Sequence, residues 1–418
     1  MEWWTELERH ARLRRRRKRM WAAAAFAVLT LVGAAGVRWA PRFESPGPVE
    51  RAEVPEVASV CQDVLCRISW PTPEWNAEAG VYEEWVGDHR VVYTLEHELQ
   101  EEALGVFRRY RVPYGAFVAV EPGTGRVLAL AEYSREEPEL RDFCRRATYP
   151  AASLIKIITA SAALETGKVT PETRVRFEGN PYRLYPRKIS PANRWRENNV
   201  HTLAEALATS NNVVFGKIGA DVVGSVRLDE ALHAFGFNQE IPFEFPLQPS
   251  RATVPAERYP LARTAAGFGE VYVSPVHAAL LAAAVGNRGV MMRPHVVDRI
   301  EDAGGRVVYR AAPAPWRRAA PEDVARKVAR MMVRTVTRGT SAKVFYRYAR
   351  RLRREVGVAG KTGSLTGDDP PGKYEWFIGF APVDDPQIAV ASLVVNQELW
   401  HIKGTYVAQA VMKEFFGM

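Results

Sequence analysis

Cysteine is scarce in this sequence of 418 residues. Its three cysteines are too few for a disulfide-built scaffold or a four-cysteine zinc site. Nor does it have the composition of a disordered chain, since 47% of its residues are hydrophobic and 25% are charged. These scarcities exclude small disulfide-stapled, zinc-ribbon and disordered proteins, and they leave a folded globular body.

A broad excess of positive charge is also missing. The net charge is +9, but residues 1–20 alone hold eight Lys or Arg against three Glu. The rest of the chain is therefore close to balanced. A nucleic-acid-binding surface needs clustered positive charge on the folded body, so we expect no nucleic acid partner.

Long apolar runs are limited to a single segment near the amino terminus. Residues 20–37 carry no charge and follow six consecutive cationic residues at 14–19. As a helix this run spans roughly 27 Å, close to the thickness of a thin bilayer. With the basic cluster inside, the pattern predicts a cytoplasmic tail (1–19), a single-pass anchor (20–40) and an extracytoplasmic body. A signal peptide cleaved near Gly36 is the alternative.

The remaining chain divides into a linker or pre-domain (41–92) and a folded domain (93–418). Disulfides can form outside the cytoplasm, so the sequence leaves two alternatives: a Cys61–Cys66 disulfide or three unpaired thiols. Strand patterns occur early and late in the domain and helical patterns lie between them, which predicts an α+β fold with a sheet built from both chain ends. Strands are expected at 116–120, 126–131, 356–362, 375–381 and 387–395, a hairpin at 296–309, and helices at 95–110, 154–164, 203–209, 213–223, 276–285, 321–335 and 405–416.

Ser153 and Lys156 lie three residues apart at the start of a predicted apolar helix. That spacing is nearly one helical turn, so both side chains lie on one face. A serine hydroxyl becomes a nucleophile when a base takes its proton, and a lysine is such a base if burial keeps it neutral. The alternative is an ordinary surface lysine.

Ser210, Asn211 and Asn212 fall between two predicted helices. In a functional interpretation Ser210 relays a proton and Asn212 binds a substrate amide. In the competing interpretation Ser210 or Asn212 only caps the next helix.

Lys361, Thr362 and Gly363 end a strand-like run and precede Ser364. Lysine supplies a charge, threonine a hydroxyl for a carboxylate, glycine room for a ligand, and the following N–H an oxyanion donor. A phosphate-binding loop is excluded because Glu355 stands where that motif requires glycine.

In this order the three motifs resemble those of the transpeptidase domain of penicillin-binding proteins. The resemblance covers about residues 93–418, including the segments at 149–153, 267–270, 339–340 and 376–382. It implies a five-stranded antiparallel sheet between helical regions.

The resemblance also implies a mechanism without cofactor or metal, in which a D-Ala-D-Ala stem peptide acylates Ser153 and an amine resolves the acyl-enzyme. The implied catalytic residues are Ser153, Lys156, Ser210 and Lys361. The implied substrate-binding residues are Asn212, Thr362, Gly363 and Ser364.

Peptidoglycan stem peptides, β-lactams and the bacterial cytoplasmic membrane are the partners that the resemblance implies. Because about 50 residues separate the anchor from the domain, we expect another protein, a glycan polymerase, to supply the glycan chains. A D,D-carboxypeptidase, a β-lactamase and a β-lactam-binding sensor or scaffold are the alternatives. A class A β-lactamase needs a deacylating Glu that we do not recognise, and class D enzymes usually have Val where Asn212 stands.

Overall fold

The computed structural model describes residues 64–68 and 73–418. The strands are β1 (Glu74–Asn76), β2 (Val81–Val86), β3 (His89–Tyr93), β4 (Tyr114–Val120), β5 (Val127–Ser134), β6 (Arg174–Phe177), β7 (Asn199–Thr202), β8 (Arg251–Ala252), β9 (Val271–Tyr272), β10 (Val290–Met292), β11 (Val297–Glu301), β12 (Val307–Arg310), β13 (Pro315–Arg318), β14 (Ala359–Asp368), β15 (Pro371–Ala381) and β16 (Ile388–Asn396). The α-helices are α1 (His97–Arg109), α2 (Lys156–Glu165), α3 (Pro186–Ile189), α4 (Leu203–Ala208), α5 (Asn212–Ile218), α6 (Gly224–Ala234), α7 (Arg258–Ala266), α8 (Pro275–Gly286), α9 (Glu322–Thr337), α10 (Ala342–Tyr348) and α11 (Gly404–Phe415).

The predicted tail and anchor at residues 1–40 lie outside the described residues. Within residues 64–68 and 73–418, no helix combines the length and the apolar character that a membrane crossing requires.

The central sheet has five strands in the order β14-β15-β16-β4-β5, and every neighbouring pair is antiparallel. It joins the two ends of the folded region, since Val394 of β16 pairs with Gly115 of β4. Both the α+β class and the five-stranded antiparallel sheet are therefore confirmed. Strand β14 lies at an edge of this sheet, which leaves one of its sides open to other elements.

Both faces of the central sheet are covered. Alternate residues enter two different cores: Trp376 and Ile378 belong to the core shared with α8, whereas Phe377 packs with α11. Strands buried on both faces read as continuous apolar runs, as β4 and β16 do. Helix α1 joins the second core, and the Gln100 amide bonds the backbone N–H and C=O of Leu130 in β5.

A second five-stranded sheet, β1-β2-β3-β11-β12, was not expected from the sequence. Residues 297–301 and 307–310 form the predicted hairpin, and β3 extends it through pairing of Tyr93 with Val297. Strand β3 ends at Tyr93 and so crosses the predicted limit between pre-domain and domain. The partners are more than two hundred residues apart, which explains why local patterns did not reveal this sheet.

The helical region between β5 and β14 is built around α2, whose residues from Lys156 to Leu164 are all buried. Two predicted helix starts are confirmed. Thr202 and Glu205 form a capping box at α4, and Ser274 caps α8 with Pro275 in its first turn. Among the described residues the thiols of Cys66 and Cys144 are free, and Cys61, the other half of the disulfide left open above, lies outside these residues.

Candidate active site

The first motif stands at the junction of a short 3₁₀ turn, Ala152–Ile155, and helix α2. Ser153 is partly exposed, whereas its neighbours on both sides are buried. The Lys156 side chain is completely buried, and its Nζ lies 2.6 Å from Ser153 Oγ. The predicted meeting of these side chains is confirmed, and a surface role for Lys156 is wrong because burial on α2 leaves its amine no route to solvent.

The Lys156 amine has two further partners. It donates to Asn212 Oδ1 at 2.8 Å and to the Ala266 carbonyl at 2.7 Å. The Asn212 amide is oriented by its own Nδ2, which donates to the Tyr182 carbonyl at 2.8 Å. A neutral amine has two N–H groups and one lone pair. With both N–H groups used by these acceptors, the lone pair faces the Ser153 hydroxyl.

Electrostatics favour this neutral form. Burial, with the nearby positive charge of Lys361 as the second cause, holds the pKa of Lys156 well below the usual lysine value. None of the hydrogen bonds or ion pairs found for Lys156 in the described part of the chain involves a carboxylate that would restore its charge. The amine can therefore accept the serine proton.

The second motif forms the turn between α4 and α5. Asn211 is the cap of α5, since its Oδ1 accepts from the N–H of Val214 at 3.0 Å. The hypothesis that Ser210 or Asn212 only caps this helix is wrong, because the residue between them fills that position. Ser210 has a left-handed backbone (φ +58°), which is costly for a non-glycine residue and is often found at functional sites.

The third motif lies inside β14, which continues to Asp368 instead of ending at Gly363. Lys361 is completely buried, and its Nζ donates to Ser210 Oγ at 3.1 Å and to the Thr362 carbonyl at 2.6 Å. Burial lowers the pKa of Lys361 to about 7. The second and third motifs therefore meet through the Ser210–Lys361 contact, as the first and second meet through Lys156 and Asn212.

Close backbone approaches hold the three motifs together. A Cβ on Gly363 would lie 3.3 Å from the Ala151 carbonyl, so this strand runs tightly against the segment before Ser153. Gly267 ends α7 in the left-handed region (φ +97°), and a Cβ there would approach the Ala152 carbonyl to 2.3 Å. Glycine at this C-cap thus allows the end of α7 to reach the Lys156 amine.

Two hydroxyl contacts complete the third motif. Thr362 Oγ1 lies 2.6 Å from Thr340 Oγ1, and the Thr340 N–H donates to the Ala208 carbonyl at the end of α4. Thr340 was not among the predicted site residues, although the Gly339-Thr340 pair belonged to the resemblance. The Ser364 hydroxyl donates to the buried Glu375 carboxylate at 2.7 Å, so that hydroxyl already has an anionic partner.

The contacts above bring seven of the eight predicted residues together, and Ser364 follows them directly in β14 while its side chain bonds Glu375. A partly exposed hydroxyl, a buried amine with a lowered pKa and a second buried amine are the groups that serine acyl transfer needs. Among residues 64–68 and 73–418, no group of three or more His, Cys, Asp or Glu could hold a metal ion. This arrangement suits serine acyl transfer, with Lys156 as the candidate base.

Residues 115–417 match the family model described as the penicillin binding protein transpeptidase domain. The chain therefore belongs to this family. It is 28% identical to the peptidoglycan D,D-transpeptidase PbpA of Mycolicibacterium smegmatis over 67% of this chain and 61% of that protein. It is 25% identical to the stage V sporulation protein D of Bacillus subtilis over 74% of this chain and 49% of the relative. The chain thus spans about half to three fifths of the length of these relatives.

Solved structures agree with the family assignment. The D,D-transpeptidase domain of a peptidoglycan glycosyltransferase from Eggerthella lenta superposes with a TM-score of 0.66 and 27% identity, over 78% of this chain and 82% of that one. The ceftriaxone acyl-enzyme complex of penicillin-binding protein A from M. tuberculosis gives a TM-score of 0.63 and 25% identity, over 77% and 79% of the two chains.

Proposed function

We propose that this chain is a peptidoglycan D,D-transpeptidase that works through a serine acyl-enzyme and is acylated by β-lactams. The observation that carries the proposal is the Lys156 amine, which is buried, has a lowered pKa and lies 2.6 Å from Ser153 Oγ. The name of the M. smegmatis relative and the ceftriaxone acyl-enzyme of the M. tuberculosis protein support it.

In the proposed acylation, Ser153 Oγ attacks the carbonyl between the two terminal D-alanines of a stem peptide. The Oγ–carbon bond forms while Lys156 takes the hydroxyl proton. Ser210, held by Lys361 at 3.1 Å, passes its proton to the leaving amine as the C–N bond breaks and takes up in exchange the proton that Lys156 removed from Ser153. D-Ala leaves, and an amine of a neighbouring stem peptide attacks the ester and gives a proton to Lys156. The ester C–O bond then breaks, Lys156 returns this proton to Ser153 Oγ, and the cross-link is complete.

Substrate binding is assigned to the surrounding groups. Lys361 attracts the terminal carboxylate, and the Thr362 hydroxyl, oriented by Thr340, donates to it. Asn212 uses one N–H for Tyr182, which leaves its second N–H for the backbone of the acyl donor. Gly363 admits the substrate close to the strand. The N–H groups of Ser153 and Ser364 form the oxyanion hole.

The cellular setting is proposed from the sequence. The basic segment at 14–19 and the apolar run at 20–37 support a single-pass anchor in the bacterial cytoplasmic membrane, with the domain outside. In this setting a glycan polymerase supplies the strands that are cross-linked. Amino-terminal sequencing of the membrane fraction tests the anchor, and a mature protein that begins near Gly36 would refute it.

Intact-mass spectrometry of the detergent-extracted full chain after incubation with benzylpenicillin tests the proposed activity. We expect one adduct, which peptide mapping places on Ser153. Ser153→Ala should remove it, whereas Ser161→Ala should keep it, because Ser161 is a buried serine of α2 whose hydroxyl donates to the Ile157 carbonyl of its own helix.

Lys156→Ala separates an enzyme from a passive binder. We expect this variant to remain folded but to lose acylation, since the motifs supply no other base within reach of Ser153. Normal acylation by Lys156→Ala, with unchanged melting, would contradict the role of the base. Release of D-Ala from a stem peptide without cross-linking would instead favour a D,D-carboxypeptidase.

A further inference from the structure

One surface segment directly adjoins the active site. Residues 178–198 connect β6 to β7, and the Tyr182 carbonyl accepts the hydrogen bond from Asn212 Nδ2 that orients this amide. The carbonyl of Pro181 accepts from the backbone N–H groups of Asn212 and Val213 at 2.9 and 3.2 Å. The segment therefore lies directly against the second motif, and we call residues 178–198 the rim segment.

Buried contacts fix the base of the rim segment. The Lys188 amine, only 7% exposed, donates to the Asn180 carbonyl. The Arg258 guanidinium of α7 donates twice to the Ile189 carbonyl, at 2.9 and 3.1 Å. Lys217 of α5 pairs with Glu197 at 2.5 Å. The segment is thus tied to the two helices that carry Asn212 and the Ala266 carbonyl.

The outer side of the rim segment is aromatic and cationic. Trp195 is 78% exposed, Tyr182 54% and Tyr185 45%, which is unusual for large aromatic side chains. The Arg196 guanidinium stacks 4.9 Å from the Trp195 ring centre, and the Lys188 amine lies 5.8 Å from that of Tyr185. Five Lys or Arg and two Glu give the segment a net charge of +3.

We propose that the rim segment binds the carboxylate-bearing part of a peptidoglycan strand beyond the reacting D-Ala-D-Ala end. This inference rests on the proposed function for the identity of the polymer. Arginine forks pair with peptide carboxylates, and tyrosine and tryptophan rings stack on the apolar faces of sugars and peptide groups. Arg183 is an exposed cation that directly follows Tyr182, whose carbonyl accepts the hydrogen bond from Asn212.

The distance to the nucleophile suits a polymer. Three hydrogen bonds connect the Tyr182 carbonyl to Ser153 Oγ through Asn212 and Lys156, with lengths of 2.8, 2.8 and 2.6 Å. The Tyr182 carbonyl oxygen thus lies within roughly 11 Å of the nucleophile. An extended stem peptide advances about 3.3–3.6 Å per residue, so its third or fourth residue reaches the rim while its end occupies the site.

The test compares a small ligand with a polymeric one. The variants are Arg183→Glu/Arg194→Glu, which reverses two exposed charges, and Trp195→Ala, which removes the most exposed ring. The matched control is Arg350→Glu/Arg354→Glu, because it makes the same charge change at two exposed arginines outside the rim segment. Two quantities are measured on the full chain. They are the rate of acylation by benzylpenicillin and the concentration of uncross-linked peptidoglycan strands that half-saturates binding.

We expect all variants to match the wild type in acylation by benzylpenicillin. The strand concentration that half-saturates the two rim variants should be about tenfold higher than for the wild type, because each variant loses one or two charge-assisted or stacking contacts. The control should stay within about twofold. The half-saturating strand concentration of the wild type should also increase with salt concentration, and more steeply than that of the charge-reversed variant.

Several outcomes would overturn the inference. Equal strand affinity for the charge-reversed rim variant and its control would rule out the carboxylate contact. Unchanged strand affinity of Trp195→Ala would rule out the stacking contact. If the rim variants lose binding to phosphatidylglycerol vesicles but bind strands as the wild type does, the surface binds the membrane and not the polymer. If benzylpenicillin fails to acylate the wild type, the proposed function fails, but strand binding by the variants still reports on the rim segment.

Discussion

Lys156 and Lys361 are two completely buried lysines that share one site, and the charge of Lys361 contributes to the lowered pKa of Lys156. Both amines meet the second motif, that of Lys156 at Asn212 and that of Lys361 at Ser210. Two positive charges in one buried site would repel each other and would both lack water. The site therefore resists carrying both charges at once, which costs stability wherever free lysine would carry a proton.

This cost predicts a pH dependence of stability that Lys361→Met should remove. The pKa of Lys361 is about 7 in the folded chain and about 10.4 when unfolded. Between these values the unfolded state binds more protons, so the contribution of Lys361 to the free energy of unfolding becomes more favourable as pH rises, by up to about 1.4 kcal/mol per pH unit. The melting temperature of wild type, relative to the variant, should rise from pH 7 to pH 10.

Calorimetry or circular dichroism of the full chain in detergent measures this difference. The comparison with Lys361→Met cancels the titration of the groups that do not interact with Lys361. A constant difference between the two melting temperatures from pH 7 to pH 10 would mean that Lys361 titrates normally in the folded protein.

The two asparagines of the second motif should have separable effects. Asn211→Ala removes the α5 cap and should cost about 1–2 kcal/mol of stability, seen as a melting temperature lower by a few degrees. Asn212→Ala removes an acceptor from the Lys156 amine and should slow benzylpenicillin acylation by about 100-fold, the effect of roughly 2–3 kcal/mol. Melting curves and stopped-flow acylation of both variants check this division, and a reversal of the two effects would contradict it.

Thr340 should affect the acylation rate by orienting the Thr362 hydroxyl. Thr340→Val removes the hydroxyl 2.6 Å from Thr362 Oγ1, and we expect acylation to slow about tenfold because the carboxylate-binding hydroxyl loses its orientation. Thr340→Ser should restore the rate. Thr337→Val is the matched control, since that hydroxyl donates to the Val333 carbonyl of its own helix. Equal rates for Thr340→Val and Thr337→Val would exclude a positioning role.

The features that the sequence predicted well are local. Ser153 and Lys156 are one helical turn apart, so their contact follows from helix geometry. The caps at Thr202 and Ser274 and the apolar strands of the central sheet depend on short patterns. The meeting of the three motifs could be expected only from the family resemblance, because residues 156, 212 and 361 are far apart in the chain.

The features that were missed depend on distant partners. Strand β3 pairs with β11, and Thr340 meets Thr362 across a loop and a helix. Choosing Asn211 over its neighbours as the cap needs the backbone direction at Ser210, whose left-handed conformation no propensity predicts. A Gly87-Asp88 turn between two strand-like runs was the available signal for β2 and β3.

The last prediction concerns the life of the acyl-enzyme. In the described part of the chain, the hydrogen-bond partners of Ser153, Lys156, Ser210 and Lys361 include no carboxylate, and Glu375 bonds Ser364 instead. Rapid hydrolysis needs such a base to activate a water. The opened β-lactam ring also stays attached and blocks the approach of an acceptor amine. We therefore expect the benzylpenicillin adduct to form much faster than it decays. Intact mass followed over hours checks this, and a fast return to the unmodified mass, with hydrolysed drug accumulating, would identify a β-lactamase.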